Sequence, residues 1–97
     1  MSEVVIFEVP AYVDVNLFYS RIRPRWPGWT VRDDEVWLIA ARVEQDDTDL
    51  AALLREVEDL VFNLDLQAIR YCLDSRFYIM EAPSYEVARH RRRLSVA

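Results

Sequence analysis

Arginine, tryptophan and proline crowd the segment between residues 21 and 29, where the sequence reads RIRPRWPGW. An arginine beside an indole offers a forked hydrogen-bond donor and a flat stacking surface, which together can hold a carboxylate, a phosphate or a planar ring. We therefore predict a binding site here for a small anionic or aromatic ligand, or for another protein. The alternative interpretation is that the tryptophans close the core while the arginines pair with the chain's own acids. The candidate residues are Arg21, Arg23, Arg25, Trp26, Trp29 and, from a following strand, Trp37.

The residue types that commonly carry catalysis are scarce in this chain. It contains one cysteine, Cys72, and one histidine, His90, which lies in a basic terminal run. A single thiol cannot form an internal disulfide and does not fit the cysteine-based zinc patterns. With one glycine, the chain also lacks the glycine-rich phosphate-binding motifs. We predict no catalytic residue, no metal site and no cofactor, although a pair of carboxylates is left open.

Charge is distributed unevenly along the sequence. The 17 acidic and 12 basic residues give a net charge of −5. The last ten residues contain four arginines and no acid, so the other 87 residues carry −9. An acidic surface repels nucleic-acid phosphates and suits a basic protein, so we rank nucleic acid last among the partners. We interpret the acids between residues 44 and 49 as the cap of a helix, because the calcium-loop spacing and its glycine are missing.

Length and composition predict a single globular domain. The 97 residues are 53% hydrophobic and 30% charged, which suits one core. We predict an α+β domain over residues 1–82 and a polar, basic tail over residues 83–97, which we expect to be a loose end. No stretch approaches the ~20 apolar residues of a membrane span, and the N-terminus lacks a signal pattern. Cysteine usage indicates a reducing compartment, so we expect a cytoplasmic location.

Hydrophobic periodicity predicts the elements that must position these residues. Val4–Val9 is apolar at almost every position, which is typical of an interior strand covered on both faces. The segment from Ala68 to Met80 is either a hairpin with a turn at Asp74 and Ser75 or one bent strand. The other predicted elements are helices at Asp14–Ile22 and Asp46–Leu64 and strands at Trp29–Arg32 and Val36–Val43.

The order β-α-β-β-α-β predicts an antiparallel sheet with both helices on one face. This is a ferredoxin-like two-layer sandwich, with a possible extra C-terminal edge strand. The topology hosts many unrelated functions, so it does not by itself assign one. It does leave one face of the sheet uncovered. If Trp37, Tyr71 or Tyr78 lies on that face, the face is apolar and predicts a two-fold homodimer.

We therefore predict a small non-enzymatic interaction or ligand-sensing module that forms a homodimer through the open sheet face. One alternative is an acidic inhibitor or immunity-type protein that covers a basic partner through charge complementarity. Another is a small enzyme of the dimeric α+β barrel kind, with an apolar pocket lined by Tyr19, Trp37 or Tyr71. An RNA-binding platform ranks below these, because the sequence predicts no basic sheet surface.

Overall fold

A computed structural model describes residues 2–44 and 46–82 of the chain. The predicted basic tail, residues 83–97, lies outside the described residues. Seven elements occur in the order β1 Ser2–Pro10, α1 Val15–Ile22, β2 Gly28–Asp33, β3 Val36–Glu44, α2 Asp47–Asn63, β4 Ala68–Leu73 and β5 Arg76–Glu81.

Both helices begin at the aspartates that the sequence indicated. The carboxylate of Asp14 accepts hydrogen bonds from the backbone N–H groups of Asn16 and Leu17 and so caps α1. Asp46 caps α2 in the same way by accepting from the backbone N–H of Asp49. Acidic residues also suit the positive end of the helix dipole. The helix predictions are therefore confirmed to within a residue at each end.

The sheet has five antiparallel strands in the order β2-β3-β1-β4-β5. The α+β class is confirmed, with one antiparallel sheet and two helices. The specific ferredoxin-like order is not confirmed, because β5 adds outside β4 and gives a five-strand order. The last two strands form a hairpin rather than one bent strand. Asp74 and Ser75 both have positive φ angles, 53° and 62°, which a two-residue hairpin turn requires.

The helices pack side by side on one face of the sheet. Arg21 of α1 approaches Glu56 of α2 to 3.5 Å, and both helices contact β3. The fully buried large residues beneath them come from β1, β3 and both helices: Val5, Phe7, Val9, Ile39, Val43, Phe18, Ile22, Leu53, Val57 and Val61. Removing this apolar surface from water stabilises the fold by roughly 25 cal/mol per Å².

Among the described residues, helices cover β1 on one face only, so the expectation of two covered faces is wrong for this part of the chain. Val5, Phe7 and Val9 are fully buried, whereas Ile6 and Glu8 between them are partly exposed. β1 is the middle strand of the sheet, with β3 on one side and β4 on the other. The mostly apolar run therefore marks a central position in the sheet.

Candidate functional site

Two of the predicted ligand-binding residues fasten the loop after α1 to the start of α2. Trp26 is buried, and its indole Nε1 donates a hydrogen bond of 3.0 Å to Oδ1 of Asp49. Arg25 donates to the same oxygen over 3.2 Å, and its guanidinium carbon lies 4.7 Å from the centre of the Trp26 ring. The indole N–H of Trp26 and one N–H group of the Arg25 guanidinium are thus bonded within the chain.

The carboxylate of Asp49 is the centre of this joint. Its other oxygen accepts a 3.0 Å hydrogen bond from the backbone N–H of Glu44, at the end of β3. That bond is the main cause that holds the pKa of Asp49 below its ordinary value. Burial acts in the opposite direction, and the bonds from Trp26 and Arg25 lower the pKa further. One side chain therefore ties together the end of β3, the loop and the first turn of α2.

The remaining candidates of this segment lie apart from one another. Arg21 pairs with Glu56 on α2, and Arg23 is an exposed residue at the C-terminal end of α1. Trp29 lies on β2, opposite Ala40 of β3. The structure therefore does not bring the arginines and tryptophans of residues 21–29 into one binding site. Most of them do what the alternative interpretation described: they close the core or pair with acids.

Strand register decides which aromatic residues face the helices. Directly opposed residues of an antiparallel pair share a face of the sheet. Trp37 is opposite Val9, Tyr71 is opposite the buried Phe7, and Tyr78 is opposite Tyr71. All three therefore lie on the helix-covered face, so the condition under which the sequence predicted an apolar open face is not met by these residues. Phe7, Tyr71 and Tyr78 form a row with ring centres 5.7 and 5.3 Å apart, and burial raises the pKa of Tyr71.

The opposite face of the sheet, which we call the open face, has no helix on it among the described residues. Its large apolar side chains are well exposed, with values between 44% and 65% for Trp29, Val31, Phe77 and Ile79. Register arranges the face in two cross-strand rows that run from β2 to β5. The first row is Trp29, Ala40, Ile6, Cys72 and Phe77, and the second is Val31, Leu38, Glu8, Arg70 and Ile79.

Within these two rows the charged residues are Glu8 and Arg70, which form a two-point ion pair. Arg70 Nη2 donates to Glu8 Oε1 over 2.9 Å, and Arg70 Nε donates to Glu8 Oε2. These hydrogen bonds lower the pKa of Glu8 and raise that of Arg70. The guanidinium carbon of Arg70 also lies 4.5 Å from the centre of the Phe77 ring. The pair is thus a polar feature at the centre of the open face, between neighbouring apolar side chains.

Sequence reasoning missed five residues of the open face: Glu8, Val31, Arg70, Phe77 and Ile79. The signal that could have found three of them is the alternation along β4 and β5. Ile69, Tyr71 and Leu73 share one face, which leaves Arg70 and Cys72 on the other. Pairing β5 as a hairpin then places Phe77 and Ile79 beside them.

Other kinds of site find little support in residues 2–44 and 46–82. Within those ranges, no three His, Cys, Asp or Glu side chains are placed to hold a metal ion. A depression of about 590 Å³ lies along the outer surface of α2, and Asp47, Arg55 and Asp59 are among its lining residues. The residues Tyr19, Trp37 and Tyr71, predicted to line an enzyme pocket, do not line this depression. Neither described helix is long and apolar enough to cross a membrane.

Comparison with protein-family models, with curated proteins and with solved structures finds no match for the chain. A functional conclusion must therefore come from the physical properties of the molecule itself. Four of the seven exposed large hydrophobic side chains among the described residues lie on the open face, together with the Glu8–Arg70 pair.

Proposed function

We propose that this protein is a non-enzymatic interaction module that forms a homodimer through the open face of its sheet. The observation that carries the proposal is the exposure of Trp29, Val31, Phe77 and Ile79 on that one face. Exposed apolar surface of this kind is costly in water and is typical of protein interaction sites. A second copy of the chain is the occupant that we propose.

The dimensions of the face suit a small two-fold interface. Five strands at ~4.8 Å spacing and about six residues at ~3.3 Å each give a face of roughly 20 by 20 Å. Its accessible area exceeds this roughly 400 Å² projection because the side chains protrude. Two copies therefore bury more than roughly 800 Å² in total, which is close to the ~1,000 Å² expected of a specific interface.

The charge on the open face favours an identical copy over a basic partner. In the two rows, Glu8 and Arg70 compensate each other, so the centre of the face is neutral. Arg42 lies near Trp29, and acids occur at the strand ends, such as Glu44 and Glu81. The excess of acidic residues that gives the net charge of −5 therefore lies mainly outside the proposed interface. An inhibitor-type complex with a basic protein would instead place its acids at the contact.

We also propose that the first four strands form a ferredoxin-like sheet. They lie in the order β2-β3-β1-β4, with β5 beyond β4. In this arrangement the two helices occupy one face, and the opposite face remains open for association.

The test is the solution mass of the full chain, measured by sedimentation equilibrium across a wide concentration range. We expect the mass of two chains for the wild type. Phe77→Asp and Ile79→Asp should each give the mass of one chain, because a carboxylate would be desolvated in the interface. The matched control is Tyr12→Asp, which introduces the same charge at an exposed aromatic residue between β1 and α1 and should remain dimeric.

Two outcomes would contradict this proposal. The first is a wild-type chain that stays monomeric at the highest concentration. The second is a dimer that Tyr12→Asp disrupts as much as Phe77→Asp does, since that would place the interface elsewhere. Circular dichroism of each variant establishes that a loss of mass is not a loss of fold.

A further inference from the structure

We infer that Glu8 and Arg70 set the register of this dimer by pairing between the two protomers as well as within each one. The inference rests on the proposed homodimer and adds the residues that give it specificity. Glu8 lies on β1, the middle strand of the sheet, and Arg70 lies directly opposite on β4. The pair is therefore near the centre of the open face, where an interface is driest.

The hydrogen-bonding capacity of the pair is only partly used within one chain. A guanidinium has five N–H donors and a carboxylate can accept about four hydrogen bonds. The described contact between Arg70 and Glu8 consists of two hydrogen bonds. Water can serve the remaining positions while the face is open. Once the face is covered, a partner surface must supply polar groups at this point or leave charged groups unsatisfied.

A second copy supplies those groups under one arrangement of the two-fold axis. Face-to-face sheets are related by an axis that lies between them and parallel to both. If the axis runs along the strands, midway between β1 and β4, then β1 of one protomer lies over β4 of the other. Glu8 then faces the partner's Arg70, and Arg70 faces the partner's Glu8. An axis perpendicular to the strands through this row would instead place Glu8 over the partner's Glu8, where like charges repel.

The same axis brings the exposed residues of β5 against the partner. It places β5 over the partner's β3, so Phe77 lies in the row of the partner's Ala40 and Ile79 lies over the partner's Leu38. Phe77 and Ile79 are 61% and 65% exposed, so this arrangement removes them from water. β2 extends beyond the partner's β5, so Trp29 and Val31 lie at the edge of the interface. Aligned sheets cross at about 30°, so these facing positions hold best near the axis.

Charge reversal tests the inference directly. Glu8→Arg and Arg70→Glu are made in separate full-length chains, and each alone should lose the dimer because like charges would face each other across the axis. An equimolar mixture of the two should recover the mass of two chains as a heterodimer, which native mass spectrometry identifies from the two chain masses. The double variant E8R/R70E should remain a homodimer. If either single variant does not fold, Glu8→Lys and Arg70→Asp form the second pair.

Failure of this inference is distinguishable from failure of the proposed function. If the wild type is dimeric and Phe77→Asp is monomeric, the proposed function stands. If in addition the mixed variants remain monomers, or if each single variant still forms a homodimer, the pairing between protomers is wrong. A monomeric wild type overturns both.

Discussion

The two faces of the sheet carry similar residues in very different surroundings. Phe7 on the helix-covered face is fully buried, whereas Phe77 on the open face is 61% exposed. Both are phenylalanines on strands rich in apolar residues. The residue types along a strand therefore do not tell which of its two faces the helices cover. Register assigns each side chain to a face, and the helix layer seals only one of the two.

The faces also differ in where they place charge. No polar or charged side chain is buried in the described part of the chain, so the helix-covered face keeps its ion pairs at the periphery. On the open face the Glu8–Arg70 pair lies in the central strands. A sheet face that is buried in a hydrophobic core rarely contains such a pair at its centre, because removing charged groups from water is costly. The open face therefore combines exposed apolar side chains with a central ion pair, which is the composition that our proposal of a homodimer interface uses.

The sharpest test of this contrast compares Phe7→Ala with Phe77→Ala. Loss of a buried phenylalanine removes its transfer free energy and leaves a cavity, so Phe7→Ala should lower the free energy of unfolding by about 3–5 kcal/mol. Phe77→Ala removes a largely exposed ring and should change the monomer's stability by less than about 1 kcal/mol. Urea denaturation at a concentration where the protein is monomeric measures both. Similar losses in the two variants would contradict the assignment of faces.

The next largest effect is expected at Gly28, where the backbone of β2 lies very close to the backbone of β3. A Cβ atom at Gly28 would lie 2.0 Å from the backbone oxygen of Ala40. Gly28→Ala should therefore push β2 away from β3 and destabilise the fold by about 1–3 kcal/mol, as overpacked sites do. It should also change the fluorescence of Trp29, the neighbouring residue on the open face. Thr30→Ala on the same strand is the control. A Gly28→Ala chain with wild-type stability would show that β2 is held loosely.

The smallest expected effect is on how steeply the stability of the protein falls at acid pH. It tests the hydrogen bonds of Asp49, which connect the end of β3, the loop after α1 and the first turn of α2. The lowered pKa of Asp49 means that its ionised form favours the folded state. This contribution is complete above the ordinary pKa of 3.8 and is lost as pH falls through the lower pKa of the folded protein. Asp49→Asn should therefore make the fall of the melting temperature shallower in this range.

Asp47→Asn is the matched control for that measurement, since it removes the same charge from the same turn of α2. In Asp47→Asn, the melting temperature should fall more steeply with decreasing pH than it does in Asp49→Asn. Because Glu8 also has a lowered pKa, part of the decline should persist in both variants. An equally steep fall in the two variants would mean that the bonds to Asp49 do not hold its pKa down.

Much of the secondary structure could be predicted from local signals. The aspartates that cap α1 and α2 and the alternation along β4 are properties of short segments, and the helices and strands lie where these signals placed them. The candidate site could not be predicted in the same way. Arg25 and Trp26 have the chemistry of a ligand site, but Asp49, 23 residues beyond Trp26, takes up their hydrogen bonds. A contact over that distance in sequence leaves no local pattern.

The amino-acid sequence by itself determined the helices and strands and their order along the chain. Periodicity and capping act within a few residues, so they can be read without knowledge of the fold. Only the tertiary structure decided which aromatic residues remain outside. A strand's side chains alternate between faces, and a shift of one residue in pairing exchanges them. Pairing between distant strands therefore placed Trp37 under the helices and left Trp29 and Phe77 on the open face.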